Sequence, residues 1–214
     1  MREGDAIRTF KARRRVTPGQ AEAIARLLPR YGQDVPYGRT APLVLEIGSG
    51  MGEATAAMAA ADPDRDVLAV EVHTPGVGAL LRRVQELGLT NVRIAEADGL
   101  DVLRARSAGS LDEVRVFFPD PWPKARHHKR RLVSPGFAEL VADRLRPGGR
   151  LHVATDWPSY AEQARQVLST RLDLVGTDRD GRPVTRFEQQ ARDAGRTCWD
   201  LVWVSSDAVR TTAG

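Results

Sequence analysis

Four acids at the ends of apolar runs, one of them framed by prolines, carry most of the chemistry this chain can do. The fourth acid lies within residues 114–133, VRVFFPDPWPKARHHKRRLV. Residues 114–118 have strand character and break at Pro119-Asp120-Pro121-Trp122-Pro123. Three prolines in five residues cannot continue a sheet or enter a helix interior, so a rigid, extended loop is expected at a strand end. Asp120 and Trp122 sit in it, restrained by the prolines beside them. Residues 124–131 then contribute five Lys or Arg and two His, with no acid. A carboxylate and an aromatic beside a cationic run suit a planar base attached to phosphates. Charge runs are usually solvated faces, but this one abuts the Asp120 loop, which favours RNA contact. His127 and His128, adjacent and without Cys or acidic partners, read as polar residues of that loop and not as metal ligands.

Three further acids follow the same plan. Glu46 opens Glu46-Ile47-Gly48-Ser49-Gly50-Met51-Gly52, whose glycines let the backbone turn tightly and approach a ligand. Taken alone, G-x-G-x-G would also suit a dinucleotide dehydrogenase. Glu71 ends the next apolar run, where an acid can accept from both ribose hydroxyls. Asp98, in Ala97-Asp98-Gly99, is placed to accept from an adenine amino group. Plainer readings are a helix N-cap for Asp98 and a solvated strand end for Glu71, but acids recurring at successive strand ends favour a ligand. The set resembles that of class I S-adenosylmethionine-dependent methyltransferases, which implies that Glu46 lies near the methionine end of the cofactor. A sulfonium cofactor has no pyrophosphate, whereas Glu46 and Asp120 together would repel a dinucleotide.

The elements that must position these residues alternate. Thr17-Pro18-Gly19-Gln20 reads as a capped helix start, with the helix running to about Arg30 and a linker over residues 32–42. Strands are expected at 43–47, 67–71, 92–95, 114–118 and 151–154. Helices are expected at 53–61, 76–87, 102–106, 135–145 (stopped by Pro147-Gly148-Gly149) and 159–170. Two β segments, near 172–175 and 199–204, close the chain. This pattern implies an α/β fold with a mostly parallel seven-stranded sheet and helices on both faces, the class I methyltransferase or Rossmann-like arrangement.

The 214 residues suit a single domain over 17–214, preceded by a basic arm at 1–16. The net charge of +4 leans toward an anionic partner. Only Lys11, Lys124 and Lys129 are lysines, and the arginine excess reads as codon bias outside the clusters. The single cysteine, Cys198, excludes an internal disulfide and reads as a reduced thiol in a core strand. No apolar leader or 18-residue apolar run is present, so a cytoplasmic protein without a membrane partner is expected.

Longer stretches narrow the reading. LEIGSGMGE (45–53), EVHTPGVGALL (71–81), FPDPWPKARHHKRRLV (118–133), LRPGGRLHVATDW (145–157) and RPVTRFE (182–188) strongly resemble the bacterial tRNA (guanine-N7)-methyltransferase family. The resemblance covers nearly the whole chain and implies methylation of N7 of the variable-loop guanosine, tRNA position 46. It implies S-adenosylmethionine as methyl donor and tRNA as partner; no metal is expected, no obligate protein partner is evident, and both a monomer and a homodimer stay open. Glu46, Gly48, Gly50, Glu71, Asp98 and Asp120 match its cofactor positions, and Asp120 also its catalytic one. Lys124, Asp156, Thr185, Arg186, Phe187 and Glu188 match substrate-binding positions. Arg126, His127, His128, Lys129, Arg130 and Arg131 match an RNA-contacting loop. Departures are Arg186, where many relatives carry Lys, and Ser49, where a bulky apolar residue is common.

The chemistry agrees with that implication. Guanine N7 has an in-plane lone pair and no proton, so transfer needs positioning more than a strong base. A carboxylate can accept from guanine N1–H and N2–H2, which adenine cannot offer; Asp120, Glu188 and Asp156 are candidates. Trp122 can stack on the base or pack against the sheet end. Two rivals stay open: a methyltransferase of adenine N6 or a protein amide, whose (Asp/Asn)-Pro-Pro-aromatic loops Asp120-Pro121-Trp122 loosely matches, and a non-catalytic RNA-binding scaffold.

Overall fold

A computed structural model of the chain describes residues 16–179 and 181–206. The basic arm expected at 1–16 lies, apart from Val16, outside the described residues. Helix α1, Pro18–Tyr31, starts at a reciprocal capping box: Thr17 Oγ1 accepts from the Gln20 N–H, and Gln20 Oε1 from the Thr17 N–H. The alternation then follows as β1 (Leu43–Ile47), α2 (Glu53–Ala61), β2 (Asp66–Glu71), α3 (Thr74–Glu86), β3 (Val92–Glu96), α4 (Gly99–Arg104) and β4 (Leu111–Phe117). After a 3-10 turn, Ala125–Arg130, come α5 (Pro135–Arg144), β5 (Leu145–Thr155), α6 (Pro158–Leu168), β6 (Asp173–Gly176), α7 (Arg186–Asp193) and β7 (Trp199–Val204).

The seven strands lie in the order β3-β2-β1-β4-β5-β7-β6. The pairings from β3 through β5 are parallel. Strand β7 is antiparallel to both β5 and β6, so the sheet is mixed at one edge. The neighbours of Val44, Val67 and Ala69 are α1 and α3 side chains such as Leu27 and Leu80. The alternate residues Leu45, Leu68 and Val70 pack with α4, α5 and α6 residues such as Leu103, Phe137 and Tyr160. Burial on both faces explains why these strands read as continuous apolar runs. The chain order reverses between β1 and β4, and a crevice at the carboxyl ends of such strands is where open α/β sheets bind ligands.

Three boundaries differ from expectation. Pro147-Gly148-Gly149 does not separate α5 from a later strand; β5 begins at Leu145 and contains it. The β4–β5 register jumps from Leu111–Leu145 to Glu113–Arg150, so residues 146–149 bulge from the pairing. The Gly148 N–H donates to Ser205 O and the Ser205 N–H to Gly149 O, which satisfies the bulge from the β7 side. Helix α4 starts earlier because Asp98 caps it. Cys198 is half-buried and precedes β7, so it is not in a core strand. No described helix is long and apolar enough to cross a membrane.

Candidate active site

A cavity of about 320 Å³ opens at the β1/β4 crevice. Its wall brings together Gly48, Gly50, Glu71, Asp98, Asp120, Trp122 and Arg130, which come from the carboxyl ends of β1, β2, β3 and β4 and from the 3-10 turn. Gly48 and Gly50 adopt φ of 79° and 56°, and a Cβ added to either would point into open space. The backbone there can therefore approach a ligand directly. Glu71 is buried; one oxygen accepts from the Gly50 N–H and the other from the His73 N–H, each at 2.7 Å. It thus tethers the glycine loop while facing the cavity. Asp98 caps α4 by accepting from the Leu100 N–H at 2.8 Å, so its capping and lining roles coexist.

Glu46 does not line the cavity but sits beneath the glycine loop. Only 2% of it is exposed. Thr55 Oγ1 donates to its Oε1 at 2.9 Å, while Oε2 has no hydrogen-bond partner among the described residues. Burial pushes its pKa up to about 6, against the lowering effects of Arg115 and the Thr55 hydrogen bond. A buried carboxylate oxygen without a donor fits a cationic ligand group.

Asp120 stands at the rim, exposed, although enough protein surrounds its carboxyl that desolvation raises its pKa. Its loop is bent at both ends: Phe118 has φ of 52° and Trp122 of 42°. The Phe118 N–H donates to Ala154 O at 2.7 Å, extending the β4–β5 ladder past the strand. The Arg130 guanidinium lies 5.0 Å from the Trp122 ring centroid, and His127 meets that ring edge-on at 5.8 Å.

The basic run forms the 3-10 turn, with Lys124, Arg126, Lys129 and Arg130 exposed and His127 and His128 half-buried. Desolvation, with Arg130, Arg126 and Lys124 nearby, lowers the His127 pKa. Arg131 corrects the expectation of RNA contact. It is 1% exposed and donates to Pro121 O, Ser159 O and Oγ, and Gln163 Oε1. A buried guanidinium spent on four protein acceptors does not present itself to a phosphate.

The 182–188 segment is divided in the same way. Glu188 is fully buried, and its carboxylate accepts from Arg179, Arg182 and Arg192. Burial would raise its pKa, but the Arg179 and Arg182 hydrogen bonds outweigh that and hold it low. It has no capacity left for a guanine edge, so its expected substrate-binding role does not hold. Arg182 also donates to both oxygens of Asp200, each at 2.7 Å, and lies 5.0 Å from the Phe118 ring centroid. His152 Nε2 donates to Asp200 Oδ1 at 2.9 Å. Burial opposes ionisation of Asp200, yet the His152 and Arg182 bonds bring its pKa to about 2.

Thr185 caps α7 by accepting from the Glu188 N–H, but the Glu188 side chain does not complete a capping box. The Arg186 N–H donates to Glu53 Oε2 at 2.8 Å. Glu53 also pairs with Arg83, whose Nε donates to Met51 O in the glycine loop. Phe187 is 52% exposed with its ring 5.2 Å from that of Phe118, which brings it to the cavity edge. Asp156 Oδ2 accepts from Arg196 Nε at 2.7 Å. Lys124, Asp156, Thr185 and Arg186 do not line the cavity.

Sequence reasoning passed over Phe118, which lines the cavity, and the Arg182–Asp200–His152 network. Phe118 had a signal, its place directly before the proline loop. The network had none, because its members are far apart in the chain and meet only through the antiparallel β7.

A family profile described as "Putative methyltransferase" matches residues 40–201. A Streptomyces avermitilis protein called tRNA (guanine-N(7)-)-methyltransferase is 51% identical over 216 residues, covering 92% of this chain and 74% of its own. A Nitrosospira multiformis protein of the same name is 48% identical over 216 residues, covering 92% and 93%. Among solved structures, the 16S rRNA methyltransferase KamB superposes with a TM-score of 0.56 at 17% identity, over 90% of this chain and 95% of that one. A 16S rRNA (adenine(1408)-N(1))-methyltransferase with cosubstrate SAM gives a TM-score of 0.53 at 16% identity, over 88% and 91%. At such identities the likeness is one of fold, the class I methyltransferase arrangement.

Proposed function

The chain belongs to the tRNA (guanine-N7)-methyltransferase family, and from that premise we propose how its residues divide the work. The enzyme methylates N7 of guanine in tRNA; we take the acceptor to be the variable-loop guanosine at tRNA position 46. S-adenosylmethionine is the methyl donor, and when bound it supplies an electrophilic methyl on a sulfonium. The observation that carries this reading is a cavity at the strand-order reversal lined by acids from three strand ends, Glu71, Asp98 and Asp120, with the fourth acid, Glu46, outside the lining and its Oε2 unpartnered among the described residues. Glu46 is the counter-charge for the donor's cationic end, Glu71 accepts from its ribose, and Asp98 from its adenine. Gly48 and Gly50 keep the backbone out of its way.

Guanine N7 is unprotonated, so Asp120 need not remove a proton. It orients: an exposed carboxylate at the rim accepts from N1–H and N2–H2 of the incoming base. With Glu188 saturated by arginines, Asp120 is the leading carboxylate for that task, and Asp156 keeps only the oxygen not bound to Arg196. Phe187 and Trp122 offer aromatic surface to a base taken from its stack, which costs a few kcal/mol to expose. Lys124, Arg126, Lys129 and Arg130 supply phosphate contacts that offset this cost. The reaction belongs in the cytoplasm, where its substrate is found.

Incubation with labelled S-adenosylmethionine and unmodified bulk tRNA, followed by aniline cleavage, tests the whole reading. Cleavage in the variable loop is expected. Label without cleavage would reject N7, and no label with any tRNA would reject the enzyme.

A further inference from the structure

Residues 119–123 have an unusual shortage. Pro119, Pro121 and Pro123 lack N–H groups, so the loop has few donors with which to tie itself to the protein. Phe118, which leads into it, and Trp122 within it are non-glycine residues in the left-handed region, which costs about 1 kcal/mol or more each. Such a conformation persists only if the surroundings over-determine it, and a donor must reach the loop from outside.

Arg131 supplies that donor. Its Nε–H bonds to Pro121 O at 2.8 Å, on the residue between Asp120 and Trp122. The other end of the guanidinium is held by α6: Nη1 donates to Gln163 Oε1 at 2.7 Å and Nη2 to Ser159 Oγ at 2.9 Å. Nη2 also meets His128 Nε2 at 3.1 Å, and since arginine has no acceptor, the imidazole must accept. The guanidinium lies 5.3 Å from the Tyr160 ring centroid. These partners are all neutral. A buried cation satisfied only by neutral acceptors is costly to keep, and burial lowers its pKa. The interaction is therefore poorly explained as a stabilising ion pair and well explained as a geometric clamp.

We propose that Arg131 is a positioning residue for methyl transfer, fixing the Asp120–Trp122 backbone against α6, while its neighbours on the 3-10 turn face the RNA. This rests on the reading of Asp120 as the base-orienting group. Arginine is suited to the task because its rigid fork bonds the loop, the helix and His128 at once. Lysine cannot reproduce that fork.

The test compares Arg131→Gln, Arg131→Lys and the Ser159→Ala/Gln163→Ala double variant with Lys129→Ala, in steady-state tRNA methylation and in tRNA binding against salt. Misplacing a reacting group by about 1 Å costs roughly 100-fold, so kcat should fall by about that factor in both Arg131 variants. KM for tRNA and the salt slope should stay at parent values. The double variant should show a smaller kcat loss of the same kind. Lys129→Ala should instead raise KM and flatten the slope by about 0.7 to 0.9. If Arg131→Gln fails to fold, the double variant decides, since it leaves the guanidinium in place but removes both of its side-chain acceptors on α6, so that only the Ser159 carbonyl still holds it there. Parent kcat in the folded Arg131 and Ser159/Gln163 variants, or a shallower salt slope in any of these, would overturn the proposal. Parent enzyme that makes 7-methylguanosine throughout keeps such a failure separate from failure of the functional reading itself.

Discussion

Binding of S-adenosylmethionine should weaken sharply in mild acid, and Glu46 should be the cause. In the free protein its carboxyl titrates at about 6, raised by burial from the ordinary 4.5 despite Arg115 and Thr55, and with Glu113 and Glu71 adding to the rise. A cation placed beside the unpartnered Oε2 favours the ionised form and draws the pKa back down. Protonated Glu46 must then lose its proton on binding. At about pH 5 roughly one free protein in eleven carries it ionised, so affinity should be about tenfold lower than at about pH 7.5, or about 1.4 kcal/mol. Calorimetry in two buffers of different ionisation enthalpy reads both the loss and the released proton. The carboxyl of Asp120, also raised, belongs to the same cavity, so Glu46→Gln is the control. That variant should bind more weakly at pH 7.5, with a shallower dependence on pH. Without ligand it should be no less stable than the parent, because keeping the buried carboxylate ionised costs up to about 2 kcal/mol. Parent affinity that is flat over this range, or a Glu46→Gln profile parallel to the parent's, would refute the reasoning.

Asp120→Asn should remove most turnover and leave donor binding and thermal unfolding near parent values; a variant with parent kcat would remove Asp120 from the reaction. Replacing Lys129 and Arg130 together with alanine should flatten the dependence of log K on log salt by about 1.5, whereas equal slopes would show that the turn does not meet phosphate. Glu188→Gln strands three arginines and should cost about 3 to 5 kcal/mol in urea unfolding; a cost under about 1 kcal/mol would mean the network is incidental. In acid, Asp200 and Glu188 both have folded pKa values below their unfolded ones, so their stabilisation is present above about pH 4 and is lost as pH falls toward 2. Urea midpoints should drop through that window, and less so in Asp200→Asn.

What the sequence shows and what it hides follow from how each residue is constrained. Strands β1 and β2 could be read because both faces are buried, which leaves an unbroken apolar run ending in an acid. The Asp120 loop could be read because proline chemistry acts locally. Arg130 and Arg131 could not be told apart: they are adjacent, identical in type, and separated only by which side of the turn each faces. Glu188 misled for a related reason: Arg192 is its i+4 neighbour on α7, but Arg179 and Arg182 reach its carboxylate only when the segment after β6 folds back on itself. The bulge in β5 was missed because Pro147-Gly148-Gly149 is a strong stop signal whose backbone groups, the Gly148 N–H and the Gly149 carbonyl, are satisfied by Ser205 across the sheet.

One carboxylate joins the two halves of the cavity's surroundings. Glu53, at the start of α2, pairs with Arg83, which holds Met51 in the glycine loop, and it accepts the backbone N–H of Arg186 in the segment bearing Phe187. A ligand that stiffens the glycine loop thereby lowers the entropy still to be lost when the Phe187 segment orders around a base. Such a linkage is reciprocal, so tRNA must tighten the donor's binding by the same factor that the donor tightens tRNA's. The same contacts would couple the two products, so that exit of either removes its tightening and weakens the hold on the other.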